Sequence, residues 1–254
     1  MMATEHNAVV ERQFGEQANA YLTSAVHSSG EEFAALDEAV AGQPHAKALD
    51  LGCGAGHVSF RIAAQLAEVV AYDLSQSMLA TVQSAAADRG LSNIRVQQGV
   101  AEYLPFDDAS FDFVFSRYSA HHWQDLGRAL REVNRVLKPG GKVVFVDVMS
   151  PGVPQLDTYL QAAELLRDTS HVRDYSAAEW LQEMSQAGLQ VERQRRQRLR
   201  LEFASWVERM RTPAPLQQAI RMLQQAMGDE VRHYFEITAD GSFSTDVIVL
   251  WGGR

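Results

Sequence analysis

One stretch decides the fold of this chain of 254 residues: Ala48-Leu49-Asp50-Leu51-Gly52-Cys53-Gly54-Ala55-Gly56. An apolar run ends in an aspartate, and a loop with glycines at alternate positions follows it. Residues 57–63 then have the apolar spacing of the first turns of a helix. A strand, a glycine turn and a helix open a nucleotide-type βαβ unit, and glycine lets a ligand lie directly against the main chain. The sequence therefore predicts an α/β fold with a ligand site at the glycine loop.

The spacing of the glycines argues against two common nucleotide sites. The dinucleotide fingerprint, G-x-G-x-x-G, would need its third glycine at position 57 or 59, where His57 and Ser59 stand. A phosphate-binding P-loop would need Gly-Lys-Ser or Gly-Lys-Thr, and the loop contains neither. The pattern that is present is D-x-G-x-G-x-G.

A second acidic residue stands at the end of the next predicted strand. Asp73 ends the run Val-Val-Ala-Tyr-Asp, 17 residues after Gly56. A carboxylate at this position can accept both ribose hydroxyls of a nucleoside. With these features together, the chain resembles the class I S-adenosylmethionine (SAM)-dependent methyltransferases. Within that superfamily it is similar to the methyltransferase type 11 group, which contains quinone-biosynthesis C-methyltransferases and related small-molecule enzymes.

The resemblance covers residues 50–148 best and implies a Rossmann-like fold. This fold is a doubly wound, mostly parallel sheet of seven strands whose last strand is antiparallel. Strands separated by helices also predict parallel pairing with right-handed crossovers. Residues 138–141, Lys-Pro-Gly-Gly, are predicted to form a turn, and a mostly helical stretch at 204–234 separates the last two strands. The predicted strands lie at 46–51, 69–72, 94–98, 111–116, 142–148, 191–203 and 243–250.

The chain is expected to have three regions. Residues 1–45 form a helical segment that covers the cofactor, and Ser29 and Glu32 in it have the spacing of a capping box. Residues 46–150 form the SAM-binding core. Residues 151–254 complete the sheet, and their helical insertions form the substrate pocket.

The resemblance also implies which residues bind SAM. Tyr21 either closes over the cofactor or simply packs within its own segment. The family usually carries an acid at the position of Val100, so the contact to the adenine amine falls to the Ala101 backbone or to Glu102. Glu102 has the alternative role of a solvated loop carboxylate. The residues expected at the cofactor are Tyr21, Asp50, Gly52, Cys53, Gly54, Gly56, Asp73, Leu74, Met78, Ala101, Glu102, Ser116 and Arg117.

Methyl transfer from a sulfonium is an in-line displacement, which in principle needs neither a redox centre nor a metal. Alignment of the acceptor is then the main task of the protein. Residues 116–123 follow the fourth predicted strand, and ligands bind at the carboxyl ends of strands in doubly wound sheets. This stretch should therefore face the transferred methyl group.

His121 and His122 are the candidate catalytic residues of that stretch. They match the His-His-aromatic pattern of the family, which is often positional there. Adjacent histidines are not expected to point the same way, so at most one would be a base. No carboxylate in the loop before Asp125 is placed to orient an imidazole. The sequence therefore predicts that alignment dominates and that replacing either histidine has a modest effect.

Composition and charge narrow the class of protein. The formal net charge of −9 has the opposite sign to that which favours phosphate binding, and no nucleic-acid partner is expected. The arginines at 193–200 are interpreted as a solvated edge strand paired with acids. Cys53 is the single cysteine, so no internal disulfide and no cysteine-based metal site are expected. Without a signal peptide or an apolar run of ~18 residues, the sequence predicts a cytoplasmic protein with no membrane span.

The predicted function is SAM-dependent methylation of a small molecule, carried out by a monomer or a homodimer. A non-catalytic SAM-binding protein is the first alternative. An NAD(P)-dependent oxidoreductase is less favoured, because the third glycine of its fingerprint is missing. The acceptor, and whether its oxygen, nitrogen or carbon receives the methyl group, stay open at this stage.

Overall fold

Seven strands form one sheet in the computed structural model, which describes residues 5–15 and 32–254. The strands are β1 Lys47–Leu51, β2 Glu68–Asp73, β3 Ile94–Gln98, β4 Phe111–Arg117, β5 Leu137–Met149, β6 Gln190–Leu201 and β7 Phe243–Gly253. Their order across the sheet is β3-β2-β1-β4-β5-β7-β6. The first five strands are parallel, and β7 pairs antiparallel with both β5 and β6. The predicted doubly wound, mostly parallel sheet is confirmed.

Helices connect the strands in the described part of the chain. Ser176 and Glu179 form a capping box at the start of one of them, whereas the N-cap of the box predicted at Ser29 and Glu32 lies outside the described residues. None of these helices is long and apolar enough to cross a membrane. The helices are α1 Glu5–Gly15, α2 Phe33–Val40, α3 His57–Ala63, α4 Gln76–Asp88, α5 Leu126–Val136, α6 Pro154–Arg167, α7 Ala177–Gln186, α8 Phe203–Arg209, α9 Ala214–Ala226 and α10 Asp229–Tyr234, with a 3₁₀ turn at Ala120–His122.

Hydrophobic layers cover both faces of the sheet. One layer includes Leu130 and Val133 of α5 and Trp180 of α7, and the opposite layer includes Leu36 of α2 and Ile62 of α3. Each of these five side chains is at most 1% exposed. Burial of a side chain of this size stabilises the fold by ~1.5–3 kcal/mol. The two layers therefore hold the sheet firmly, and with it the edge where its strands end.

The strand order reverses between β1 and β4, and this point sets the position of the site. The chain moves outward from β1 to β2 and β3 and then returns to the other side of β1 at β4. A crevice forms at such a switch point, outside the carboxyl ends of the strands. The glycine loop follows β1 and the histidine loop follows β4, so both loops reach this crevice.

The structure corrects two strand boundaries. Residues 138–141, predicted as a turn, lie within β5. The pairing with β4 is irregular there, because Phe111 pairs with Leu137 and Phe113 pairs with Lys142. Gly140 has a φ of 78° in this stretch. The Pro-Gly-Gly sequence therefore makes an irregularity inside the strand instead of ending it. β6 ends at Leu201, two residues before the predicted end, because Phe203 begins α8.

The helices between β6 and β7 form a third hydrophobic cluster with α6. Trp206 of α8, Phe235 after α10 and Phe243 of β7 pack with Tyr159 and Leu160. The ring centroids of Trp206 and Phe243 are 4.9 Å apart, and those of Tyr159 and Phe235 are 4.8 Å apart. This cluster places α8 beside the ends of β5 and β6.

The arginine-rich strand β6 is the edge of the sheet, as predicted. Arg193 forms an ion pair with Glu38 at 2.9 Å. Arg196 and Arg198 both contact the buried carboxylate of Asp246 on β7, at 2.8 and 3.0 Å. These arginines thus form ion pairs with acidic side chains of the protein itself, in agreement with the sequence interpretation.

A buried ion pair ties the start of α2 to the sheet. Arg117, at the end of β4, donates from Nη2 and Nε to Glu32 Oε1 at 2.6 and 3.0 Å. Gln197 of β6 donates to the other oxygen, Glu32 Oε2, at 2.9 Å. The Arg117 and Glu32 side chains are 5% and 3% exposed. The pair therefore has little contact with water, unlike the ion pair of Arg61 and Asp37 on the surface.

We expect Arg117→Met to lower the free energy of unfolding by about 3–5 kcal/mol, because it leaves the Glu32 carboxylate buried without its cation. Arg61→Met, which breaks the exposed ion pair with Asp37, is the matched control and should lose no more than about 1 kcal/mol. Urea unfolding of both variants measures the difference. Equal losses would contradict the structural role given to the buried pair.

Candidate active site

An open cavity lies at the carboxyl ends of β1, β2 and β4. Helix α1 also contributes to its wall through Asn7, Val10 and Phe14. The sequence predicted that residues 1–45 cover the cofactor, but it did not mark these three as site residues. The predicted site residues that line this first cavity are Asp50, Gly52, Cys53, Gly54, Asp73, Leu74, Met78, Ala101, Glu102, Arg117 and His122.

Four predicted residues are placed elsewhere or not described. Gly56 precedes α3 with a φ of 84°, and a Cβ there would lie 2.9 Å from Val82 Cγ2, so its role is close packing of the helix start. Ser116 is buried in β4 and does not line the cavity, and His121 faces a second cavity. Tyr21 lies outside the described residues.

Asp50 fixes the glycine loop to the helix that follows it. Its Oδ2 accepts hydrogen bonds from the backbone N–H of Ser59 at 2.9 Å and from Ser59 Oγ at 2.6 Å. Burial raises the pKa of the Asp50 carboxyl to about 7, against the lowering effect of the Ser59 hydrogen bonds. Asp50 therefore acts first as a brace for the loop whose glycines line the cavity.

Asp73 connects the ends of β1 and β2 across the cavity. Its Oδ2 accepts from the backbone N–H of Gly54 and its Oδ1 from that of Ser75, both at 2.8 Å. Burial raises the pKa of Asp73, and the two backbone hydrogen bonds oppose that rise. Each carboxylate oxygen has a further lone pair after these bonds, so Asp73 keeps the capacity to accept two ligand hydroxyls.

Glu102 is half-buried and contacts the backbone before α5. Its Oε1 accepts from the backbone N–H groups of Gln124 and Asp125, at 2.8 and 3.2 Å. Glu102 and the buried Ala101 both line the first cavity. Both interpretations of Glu102, a contact to adenine and a solvated loop carboxylate, stay predictions.

The histidine loop is held by a carboxylate from the neighbouring strand. Asp147 of β5 accepts from the backbone N–H of Ala120 at 2.8 Å, and its Oδ1 lies 2.6 Å from His121 Nδ1. Burial opposes a charge on the His121 ring, but the Asp147 charge and hydrogen bond outweigh it and raise the pKa of His121 to about 9. His121 is thus an imidazolium at neutral pH.

His122 has the opposite electrostatic environment. Its Nδ1 lies 3.0 Å from the carbonyl oxygen of Ser170, and its Nε2 lies 3.9 Å from Asp168 Oδ2. Burial and then the nearby His121 charge lower the pKa of His122 to about 4. The His122 ring is therefore neutral at pH 7, beside a charged neighbour.

The two histidine rings lie side by side. Their centroids are 4.2 Å apart, and both rings line a second open cavity. The expectation that adjacent histidines point different ways is wrong here. Ala120–His122 form a 3₁₀ turn, in which neighbouring side chains do not alternate between opposite sides as they do in a strand. Apart from these rings, the second cavity is lined by Phe14, Tyr118, Val148, Arg167, Asp168, Leu199, Leu201, Trp206 and Arg209.

The two cavities share three residues, Phe14, Tyr118 and His122. Tyr118 has a φ of 52°, an uncommon value for a residue with a side chain, and its N–H donates to the Val146 carbonyl at 2.8 Å. Strained backbone of this kind persists where the surroundings hold it, often at a ligand site. The turn at Tyr118 takes the chain from β4 into the boundary between the cavities.

Sequence reasoning missed Asp147, Asp168 and Ser170. One signal for Asp147 was available, because it is a lone acid in the apolar run Val-Val-Phe-Val-Asp-Val near the end of a buried strand. Buried charges of this kind are paired, so a partner at the same edge of the sheet could have been sought. No comparable signal marks Asp168 or Ser170, which come to His122 from the end of α6.

The glycine loop and the histidine loop approach closely at Gly52. A Cβ on Gly52, whose φ is 70°, would lie 1.8 Å from Ser119 Oγ. That hydroxyl accepts from the Trp123 indole N–H at 3.1 Å, so it cannot move without disturbing a second contact. The missing side chain of Gly52 therefore allows the two loops to meet.

We expect Gly52→Ala to lower the free energy of unfolding by about 1–3 kcal/mol more than Gly42→Ala, because it adds a clash to the backbone strain. Gly42 is the matched control, since its φ is 74° and a Cβ there would meet nothing within 4 Å. Thermal or urea unfolding measures both. Similar losses in the two variants would show that the contact with Ser119 relaxes without penalty.

Comparisons with known proteins agree with this architecture. A family model described as a methyltransferase domain matches residues 49–145. The Escherichia coli protein YafE is 54% identical over 199 residues, which cover 78% of this chain and 96% of YafE. A demethylmenaquinone methyltransferase of Lactococcus lactis is 37% identical over 120 residues, 46% of each chain.

The Bacillus subtilis protein YcgJ, which carries the name of a methyltransferase, is 36% identical over 247 residues, or 95% of this chain and 98% of YcgJ. Its crystal structure matches the present structure with a TM-score of 0.83 over 90% of this chain and 98% of YcgJ, at 34% identity. The chain therefore belongs to the methyltransferase family.

Proposed function

We propose that this protein binds SAM in the first cavity and transfers its methyl group to a small molecule in the second cavity. The observation that carries the proposal is that the two cavities meet at Phe14, Tyr118 and His122. In-line displacement needs the methyl carbon to lie between its two partners, at near-attack distance. Two adjoining cavities with a shared boundary are suited to this arrangement.

The polar groups of the first cavity suit a nucleoside. Asp73 at the end of β2 keeps acceptor positions for two ribose hydroxyls. The glycine loop supplies a wall without side chains, because Gly52 and Gly54 both line the cavity. Val100 and Ala101 line it as well, and their apolar side chains suit the face of an adenine ring.

The second cavity has the character of an acceptor site. Val148, Leu199, Leu201 and Trp206 give it an apolar wall, and the histidine pair gives it a polar end beside the first cavity. Small-molecule sites combine apolar surface with placed polar groups, and this cavity has both, because Arg167, Asp168 and Arg209 line it as well. The name of the Lactococcus lactis relative, a demethylmenaquinone methyltransferase, supports a small organic acceptor in the same way.

We expect S-adenosylhomocysteine, the product of the transfer, to stabilise the protein by about 2.7 kcal/mol at 100 times its Kd. Asp73→Ala should bind it more weakly, because two ribose hydroxyls lose their acceptor. Asp107→Ala, at an exposed loop aspartate, is the control and should bind as the wild type does. Calorimetry and thermal shift measure both effects.

The same titrations distinguish the alternatives. Stabilisation by NADH with no response to S-adenosylhomocysteine would overturn the proposal in favour of an oxidoreductase. Binding of S-adenosylhomocysteine without transfer from labelled SAM to any member of a panel of quinone precursors, small acids, amines and carrier-linked acyl groups would favour a non-catalytic SAM-binding protein.

We also expect α1 to become more protected when the first cavity is occupied. Asn7, Val10 and Phe14 line that cavity, and segments that close over a reactive site commonly exclude water from it. Hydrogen exchange in residues 5–15 should slow on addition of S-adenosylhomocysteine, while exchange in α7, which does not line the cavity, should not change. Unchanged exchange in α1 would show that this helix is not a cover.

A further inference from the structure

We propose that His122 is the general base of the transfer and that the second cavity takes an acceptor with an acidic hydroxyl, of the phenol or enol type. The proposal rests on the proposed function, because it names the acceptor class and the proton path of the same site. It replaces the sequence-based expectation that both histidines only align the acceptor.

The first step of the argument is the tautomer of His122. His122 Nδ1 lies 3.0 Å from the Ser170 carbonyl and 3.3 Å from Ser170 Oγ, whose own proton goes to Asp168 Oδ1 at 2.6 Å. Because a carbonyl oxygen can only accept a hydrogen bond, His122 Nδ1 carries the proton in this arrangement. In the neutral ring the lone pair then lies on Nε2. Ser170 is itself fixed, because its N–H and Oγ donate to Asp168 Oδ1 at 2.8 and 2.6 Å. The contacts of Ser170 with His122 and Asp168 thus leave Nε2 as the basic atom of the His122 ring.

The second step is the position of the ring. His122 lines both cavities, and Phe14 packs edge-on against its ring with centroids 5.0 Å apart. Asp168 Oδ2 lies 3.9 Å from Nε2. A proton that arrives on Nε2 makes the ring an imidazolium beside this carboxylate, which stabilises the charged product of proton transfer.

The third step is the charge around the acceptor. Among the described residues, His121, Arg167, Arg209 and Asp168 are the charged groups that line the second cavity. Behind the wall, Asp147 lies 2.6 Å from His121 and Glu164 lies 3.4 Å from Arg167, which also donates to the Trp206 carbonyl at 3.0 Å. The acids therefore lie behind the cations, and the groups at the cavity wall are mainly N–H donors. Such donors suit an oxyanion better than an ammonium group, and His121 Nε2–H can donate because Nδ1 is engaged with Asp147.

The fourth step compares the acidity of the acceptor hydroxyl with the basicity of His122. A weakly basic imidazole can take the proton of a phenol or an enol far more readily than that of an ordinary alcohol. The apolar wall formed by Val148, Leu199, Leu201 and Trp206 suits the flat, conjugated body that makes such a hydroxyl acidic. The wall and the base therefore indicate the same class of acceptor.

The step balances as follows. The acceptor O–H bond breaks and its proton goes to His122 Nε2. The oxygen electron pair forms the new bond to the methyl carbon, and the sulfur–methyl bond breaks with its pair returning to sulfur. The sulfonium becomes the neutral thioether of S-adenosylhomocysteine, and the proton leaves His122 for solvent.

The pH dependence follows from the groups that face the two rings. His122 is the neutral base above its pKa of about 4, and His121 is the cationic donor below its pKa of about 9. Turnover should therefore be level between these limits and fall outside them. The titratable and charged groups packed around the pair come from several elements. They are His6 of α1, Tyr118 after β4, Asp147 of β5, Glu164 and Arg167 of α6, Asp168, His171, Arg173 and Asp174 after α6, and Arg209 of α8.

Nuclear magnetic resonance of ring ¹⁵N in the full chain, with and without S-adenosylhomocysteine, tests the tautomer without any acceptor. At pH 7 we expect His122 to carry its proton on Nδ1 alone and His121 to carry both protons, with midpoints near 4 and 9 instead of the ordinary ~6.5. His121→Asn and His122→Asn assign the signals. A proton on His122 Nε2 at pH 7 would overturn the proposal, whatever the outcome for cofactor binding.

Transfer from labelled SAM to three matched probes tests the acceptor class: 2-naphthol, 2-naphthylmethanol and 2-naphthylmethylamine. We expect only 2-naphthol to be methylated, with kcat at saturating SAM lowered by about 10²-fold or more in His122→Asn. His233→Asn, at an exposed histidine, is the control and should retain full turnover. Transfer only to the alcohol or the amine, transfer to none of the probes, or full turnover in His122→Asn would overturn the proposal.

Discussion

Parallel strands end at one edge of a sheet, and this constraint decides where every polar group of the site can lie. Asp50 and Asp73 end β1 and β2, while the histidine loop follows β4 and Asp147 lies near the end of β5. These residues are far apart in sequence, but the register of the sheet brings them to the same crevice. The hydrophobic layers on both faces hold that register, so the geometry of the site depends on packing well away from it.

The sequence was sufficient for the sheet and for the first cavity. Continuous apolar runs predicted the buried strands, and the glycine loop with Asp73 predicted which ends of the strands carry polar groups. The histidine site could not be predicted to the same depth. Its partners, Asp147, Asp168 and Ser170, come from other elements, and the direction of each ring depends on a 3₁₀ turn that no local pattern specifies. The end of β6 could not be predicted either, because the strand ends where Phe203 packs as part of α8.

The region around the histidines is organised at the expense of stability. Asp174 Oδ2 and His171 Nδ1 are buried without a hydrogen-bond partner, and burial raises the pKa of Asp174 and lowers that of His171 to about 2. Apolar side chains in these places would avoid the desolvation of polar groups. Conflicts of this kind between local rules and the fold are expected at functional sites. His171 and Asp174 both lie in the segment between α6 and α7, next to the histidine pair.

The antiparallel strand β7 has a consequence for how the protein is made. It is the last strand in the sequence, yet it lies between β5 and β6 and is hydrogen-bonded to both. During synthesis β1 to β5 emerge from the ribosome before β6 and β7. β6 has no strand to join until β7 has been translated, and Leu199 and Leu201 of β6 form part of the wall of the second cavity. The strands that border the first cavity are therefore complete early in translation, whereas the wall of the second cavity cannot form until β7 has emerged.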